Sequence, residues 1–173
     1  MFVKYIPNLL TFSNLSFGLF SILEIMNQNY LASAMFICFA ALIDRYDGRI
    51  ARGLNVCSEF GKELDSLADL ASFGMAPALL IYYKFNFNDI GVLKPMGIVL
   101  LVIYVICGAY RLALFNVKKF EGTFRGIPIT VAGFILSIYA LVLPNTNMST
   151  IVSVVLMLIL SFLMVSSIKI KKI

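Results

Sequence analysis

The sequence predicts an all-α integral membrane fold with six transmembrane helices and both termini in the cytoplasm, and three observations predict it. Hydrophobic residues make up 61% of the 173 residues and charged ones 13%, where soluble domains run near half apolar and a quarter charged. The apolar residues gather into six runs, at 9–26, 31–43, 67–83, 95–114, 127–143 and 151–168. The Lys and Arg residues between the runs crowd onto alternate ends of them, as the positive-inside rule requires of a polytopic chain.

The runs are read as helices because an open strand cannot satisfy its backbone groups in hydrocarbon. The first follows only Lys4 and shows no small-residue cleavage site, so a retained helix is expected, with the mature chain starting at Met1. Short polar separators divide the runs: Asn27, Gln28 and Asn29; Asn86, Asn88, Asp89 and Gly91; Pro144, Asn145, Thr146 and Asn147. These have turn chemistry, and a single domain over 1–173 is expected. One set of helix ends carries Lys4, Arg45, Arg49, Arg52, Lys62, Arg111, Lys118, Lys119, Arg125, Lys169, Lys171 and Lys172, and the other only Lys84 and Lys94. The first set therefore faces the cytoplasm, and with it the segment from Asp44 to Asp69. The run at 31–43 rises only about 20 Å, so Asp44 sits inside the hydrocarbon zone. Counted back from the other side, Asp69 reaches a similar depth, roughly 10 Å below the interface.

Composition also excludes chemistries. The chain has no histidine, and Cys38, Cys57 and Cys107 stand far apart without metal-ligand spacing. Zinc sites, disulfide frameworks and a serine-hydrolase triad are therefore not expected, and acid/base work falls to carboxylates, Lys or Tyr. A net charge of +5 that flanks apolar helices points to anionic membrane lipid and not to nucleic acid.

Chemistry concentrates in one segment. At about 100° per residue, Asp44, Asp47, Gly48 and Ala51 share one helical face beside a face carrying Arg45, Arg49 and Arg52. Gly61, Asp65 and Asp69, four apart, form one stripe on the next helix. One or two such Asp residues would be read as caps or head-group contacts. Four carboxylates sunk in lipid cost several kcal/mol each and repel one another, unless cations neutralise them. All-oxygen ligands favour Mg²⁺, Mn²⁺ or Ca²⁺, and four Asp suffice for two ions spaced for in-line phosphoryl displacement. The small residues beside them leave room for a diphosphate and a nucleotide.

The pattern Asp44-x-x-Asp47-Gly48-x-x-Ala51-Arg52, eight residues, Gly61-x-x-x-Asp65-x-x-x-Asp69 resembles the signature of the CDP-alcohol phosphatidyltransferases at every defined position. The resemblance implies six transmembrane helices with the signature on the second and third. It implies that Asp44, Asp47, Asp65 and Asp69 hold two divalent metal ions, Mn²⁺ or Mg²⁺, with Asp69 also the general base. By the same resemblance Gly48, Ala51, Arg52 and Gly61 line the cytidine-diphosphate site. Asn8 and Thr11 match a common entry pattern of the first helix, with a nucleotide role as their reading. The stretches LDSLADLASFGMAPA at 64–78, RLALFN at 111–116 and GIPI at 126–129 are similar to bacterial and archaeal phosphatidylserine synthases, which implies CDP-diacylglycerol and L-serine as substrates. Arg111 and Arg125, with Lys118 and Lys119 near them, are candidates for the serine carboxylate or a lipid phosphate; head-group contact is the alternative for the lysines.

Rival readings stay open at this point. A polyol-phosphate acceptor, glycerol-3-phosphate or inositol phosphate, would use the same metal site. A divalent-cation transporter would also carry acids in the membrane, and a membrane prenyltransferase is more remote. A homodimer is compatible with the sequence. Pro77 and Pro128 are expected to kink or start helices, Gly108 and Gly133 to permit close packing, and Glu24 to snorkel at the outer end of the first helix.

Overall fold

The computed structural model describes residues 6–53, 58–87, 94–117, 124–166 and 169–170. In chain order these form α1 (Ile6–Met26), α2 (Tyr30–Gly53), α3 (Glu59–Asp69), a π-helical turn (Leu70–Met75), α4 (Ala76–Lys84), α5 (Lys94–Val117), β1 (Phe124–Arg125), α6 (Ile129–Val142), α7 (Asn147–Val165) and β2 (Lys169–Ile170). Because α3, the π turn and α4 run on without a break, the described residues make six helical rods, one for each apolar run. Four stretches are long and apolar enough to cross a membrane: Pro7–Met26, Glu59–Lys84, Pro95–Val117 and Asn147–Val165. The helix α6 is shorter, 14 residues between Pro128 and Leu143, and α2 carries the charged segment in its last turns.

Polarity is distributed as lipid solvent requires. Thr11, Asn14, Ser21, Ser33, Ser72 and Ser137 are buried, while Ile98, Val102, Ile106, Val155, Ile159 and Phe162 are exposed. Packing inside a bilayer gains little from burying more hydrocarbon, so small residues and interhelical hydrogen bonds knit the rods together. Along α1 the buried positions are Pro7, Thr11, Asn14, Gly18, Ser21 and Ile25, alternately four and three apart, which makes one seam. Toward its C-terminal end the Ser21 Oγ lies 2.9 Å from the Ser33 Oγ, joining α1 to α2.

Pro77 explains the π turn. Proline has no N–H for the carbonyl four residues back and clashes with it, and that carbonyl belongs to Phe73. The backbone widens instead: the Ala76 N–H donates to Ala71 O, five residues back. The Phe73 carbonyl takes a hydrogen bond from the fully buried Tyr104 hydroxyl of α5, at 3.2 Å. Gly133 of α6 lies against the same peptide, and a Cβ there would stand 2.7 Å from Phe73 O. Gly108 meets Ile129 in the same manner, at 2.6 Å from its Cδ1, so both glycines do permit close approach. Gly126 is required for another reason. Its φ is +72°, and a Cβ would stand 2.7 Å from the carbonyl oxygens of Leu163 and Met164, where the Ile127 N–H also bonds Leu163 O. Pro128 then caps α6. The strands β1 and β2 pair antiparallel, Phe124 with Ile170 and Arg125 with Lys169.

Candidate active site

The acids stand on two continuous helices. Helix α2 runs on for nine residues past Asp44 to Gly53, so Asp44 and Asp47 project from regular turns. Helix α3 opens at Ser58, whose hydroxyl accepts the Gly61 N–H at 3.0 Å, and places Asp65 and Asp69 one turn apart just before the π turn. Carboxylate oxygens of Asp44, Asp65 and Asp69 lie within 4.8 Å of one another. Asp69 is buried, at 8% exposure, and Asp44 and Asp65 are half-buried. With an effective dielectric near 20, two unit charges at that separation repel by about 3.5 kcal/mol. Three such charges need cations or protons. The donor set is all oxygen, close-set and partly desolvated, which suits a hard divalent ion.

Asp47, the fourth acid, is placed differently. It is buried at 5% exposure and accepts a hydrogen bond from the Thr11 hydroxyl of α1. It still acts electrostatically on Asp44 and Asp65. Thr11 has one proton to donate and two acceptors in reach, Asp47 and the Pro7 carbonyl at 3.1 Å; the carboxylate is the stronger. The first helix thus holds an acid of the second.

The remaining residues singled out from the sequence distribute around this cluster. A Cβ on Gly61 would meet Asn8 Oδ1 at 3.5 Å, which puts Asn8 and Gly61 side by side across α1 and α3. Gly48 is exposed on α2. Ala51 and Arg52 belong to α2, but their side chains lie outside the described residues, as does that of Arg125 in β1; Cys57, Lys118 and Lys119 lie outside them altogether. Arg111 projects from α5 and interacts electrostatically with Asp69. Its Nε is buried without a hydrogen-bond partner. Near it, Asn116 Nδ2 donates to Ser66 Oγ at 3.0 Å, tying α5 to α3.

One contact was not read from the sequence. Asn14 of α1 is fully buried, and its Nδ2 donates to Asp69 Oδ1 at 3.2 Å. The signal was present in the seam: a polar residue at a buried heptad position of a membrane helix, between Thr11 and Gly18, asks for a polar partner.

The chain belongs to the CDP-alcohol phosphatidyltransferase family, whose model matches residues 4–166. Among curated relatives it is 37% identical over 168 residues to the CDP-diacylglycerol–serine O-phosphatidyltransferase of Bacillus subtilis, covering 96% of this chain and 90% of that one. It is 35% identical to the protein of the same name from Methanocaldococcus jannaschii, over 96% of this chain and 74% of the other. To the archaetidylserine synthase of Methanothermobacter thermautotrophicus it is 38% identical, over 95% and 68%. Family membership sets aside the transporter and prenyltransferase readings.

Proposed function

We propose that this chain transfers the phosphatidyl group of CDP-diacylglycerol to the hydroxyl of L-serine, giving phosphatidylserine and CMP. The observation that carries the reading is the meeting of Asp44, Asp65 and Asp69 oxygens within 4.8 Å, in a member of a family that uses CDP-alcohols. Two of the three relatives are named for CDP-diacylglycerol and the third for archaetidylserine, while all three names share serine, so their likeness supports the acceptor more than the lipid chains.

In this reading Asp44, Asp47, Asp65 and Asp69 hold two divalent ions, Mn²⁺ or Mg²⁺. Ions bound there would supply positive charge against the diphosphate and the departing CMP. Gly48, Ala51, Arg52 and Gly61 line the nucleotide site, with Asn8 beside Gly61 and Thr11 steadying Asp47. Asp69 takes the proton of the serine hydroxyl; the freed oxygen attacks the lipid-side phosphorus, and the bond from that phosphorus to CMP breaks. Arg111, with its buried unpartnered Nε, offers its guanidinium to the serine carboxylate, and Arg125 is a second candidate. The Lys and Arg distribution supports a cytoplasmic membrane location with the site facing the cytoplasm.

Arg111→Ala tests the acceptor side. A charge-assisted hydrogen bond contributes about 1.5–3 kcal/mol, so the KM for serine should rise about 10–100-fold while that for CDP-diacylglycerol stays within about threefold. An unchanged serine KM would remove Arg111 from the acceptor site.

A further inference from the structure

Asp69 is asked to bind metal and to accept a proton, and neither task is served by a carboxylate free to rotate. Its surroundings restrict it on one side. Asn14 Nδ2 donates to Oδ1 at 3.2 Å, and the opposite amide orientation would set oxygen against oxygen. Asn14 Oδ1 meanwhile has no hydrogen-bond partner and is buried. An amide that leaves its own acceptor unsatisfied is oriented for the carboxylate and not for its own hydrogen-bond balance. The backbone of Asn14 is fixed as well: its carbonyl accepts the Ser72 hydroxyl at 3.0 Å, and Ser72 lies in the π turn directly after Asp69. Gly18, one turn further on, admits Ser72 so closely that a Cβ would collide with its Cα at 2.9 Å. Two hydrogen bonds therefore lock α1 to the helix bearing Asp69, one at that residue and one three residues later. The amide also brings a donor without adding charge to a cluster of four acids.

We infer that Asn14 is a positioning residue for Asp69, holding one carboxylate oxygen through its amide so that the other is presented to the reacting groups. The inference rests on the role proposed for Asp69. Partners of this kind, one step removed from the reacting atoms, are worth about 10–100-fold in activity or metal affinity.

The test compares Asn14→Leu, Asn14→Asp and Asn14→Gln with Asp69→Asn in purified protein, reading CMP release, Mn²⁺ binding by electron paramagnetic resonance and thermal melting. Leucine removes the donor, aspartate exchanges the amide for a further acid at constant shape, and glutamine retains the amide. Expected are a kcat about 10–100-fold lower for the Leu and Asp variants, a KM for CDP-diacylglycerol within about threefold of wild type, near-normal melting for at least one of the two, and partial recovery in Asn14→Gln. In the Asp69→Asn background, Asn14→Leu should cost nothing further. Wild-type kcat in both Leu and Asp variants overturns the inference. So does a loss that follows melting alone and is as deep in Asn14→Gln. If Asp69→Asn is inactive while Asn14→Leu turns over normally, only this inference falls; if Asp69→Asn is fully active, the proposed role of Asp69 falls with it.

Discussion

At the scale of the residue, the site is a problem of charge. Asp44 with Asp47, and Asp65 with Asp69, could be read from spacing, because the three-residue step on α2 and the four-residue steps on α3 make two acidic faces. What spacing could not give is the inequality among the four acids. Asp44, Asp65 and Asp69 converge within 4.8 Å, whereas Asp47 turns to Thr11. From sequence Thr11 is assigned to the nucleotide and Asn14 has no role. Both belong to the buried seam of α1, and a partner on another helix becomes visible only when the helices are packed. Asp65 has the sharpest prediction here, since it is a ligand in the proposed site and nothing else. Losing an indirect partner of a metal ligand already costs about 10–100-fold, so Asp65→Asn should lower CMP release by more than about 100-fold. Mn²⁺ binding should weaken and melting should hold. A fully active Asp65→Asn protein would take that residue out of the metal site.

At the scale of the element, hydropathy located the rods and misjudged some of their ends. The run at 67–83 marks the last two thirds of a rod that begins at Glu59 and reaches Lys84. Its first turns carry Glu59, Lys62 and Glu63, which no apolar window counts as membrane, yet they continue the helix that aims Asp65 and Asp69. Pro77 was legible as a kink or a start. The outcome is a π turn that passes the freed Phe73 carbonyl to Tyr104 of α5, and neither the widened turn nor its donor can be read from local sequence. Gly108 and Gly133 were legible, because a glycine inside a membrane helix has few other uses. The rigid turn after Asp69 fixes the direction in which that side chain leaves its helix, so a packing detail of α5 and α6 becomes part of the site.

At the scale of the whole molecule, polar seams inside and apolar faces outside suit the rods to lipid, and the Lys and Arg map predicts their orientation. That map predicts an outcome for impermeant thiol reagents on intact cells. An Asn88→Cys variant should label from outside and the native Cys57 should not; labelling of Cys57 would reverse the orientation. The acceptor is least legible from residue chemistry. A polyol phosphate brings about two negative charges and calls for several converging Arg or Lys, whereas serine needs one cation for its carboxylate, and among the described residues Arg111 interacts electrostatically with Asp69. The most direct measurement is therefore CMP release and lipid product from purified protein given CDP-diacylglycerol and Mn²⁺ with L-serine, glycerol-3-phosphate or inositol phosphate, each alone, with and without excess chelator. The account predicts phosphatidylserine with serine only, abolished by chelator and restored by Mn²⁺ or Mg²⁺. Turnover with glycerol-3-phosphate and none with serine, or full turnover in chelator, would contradict it.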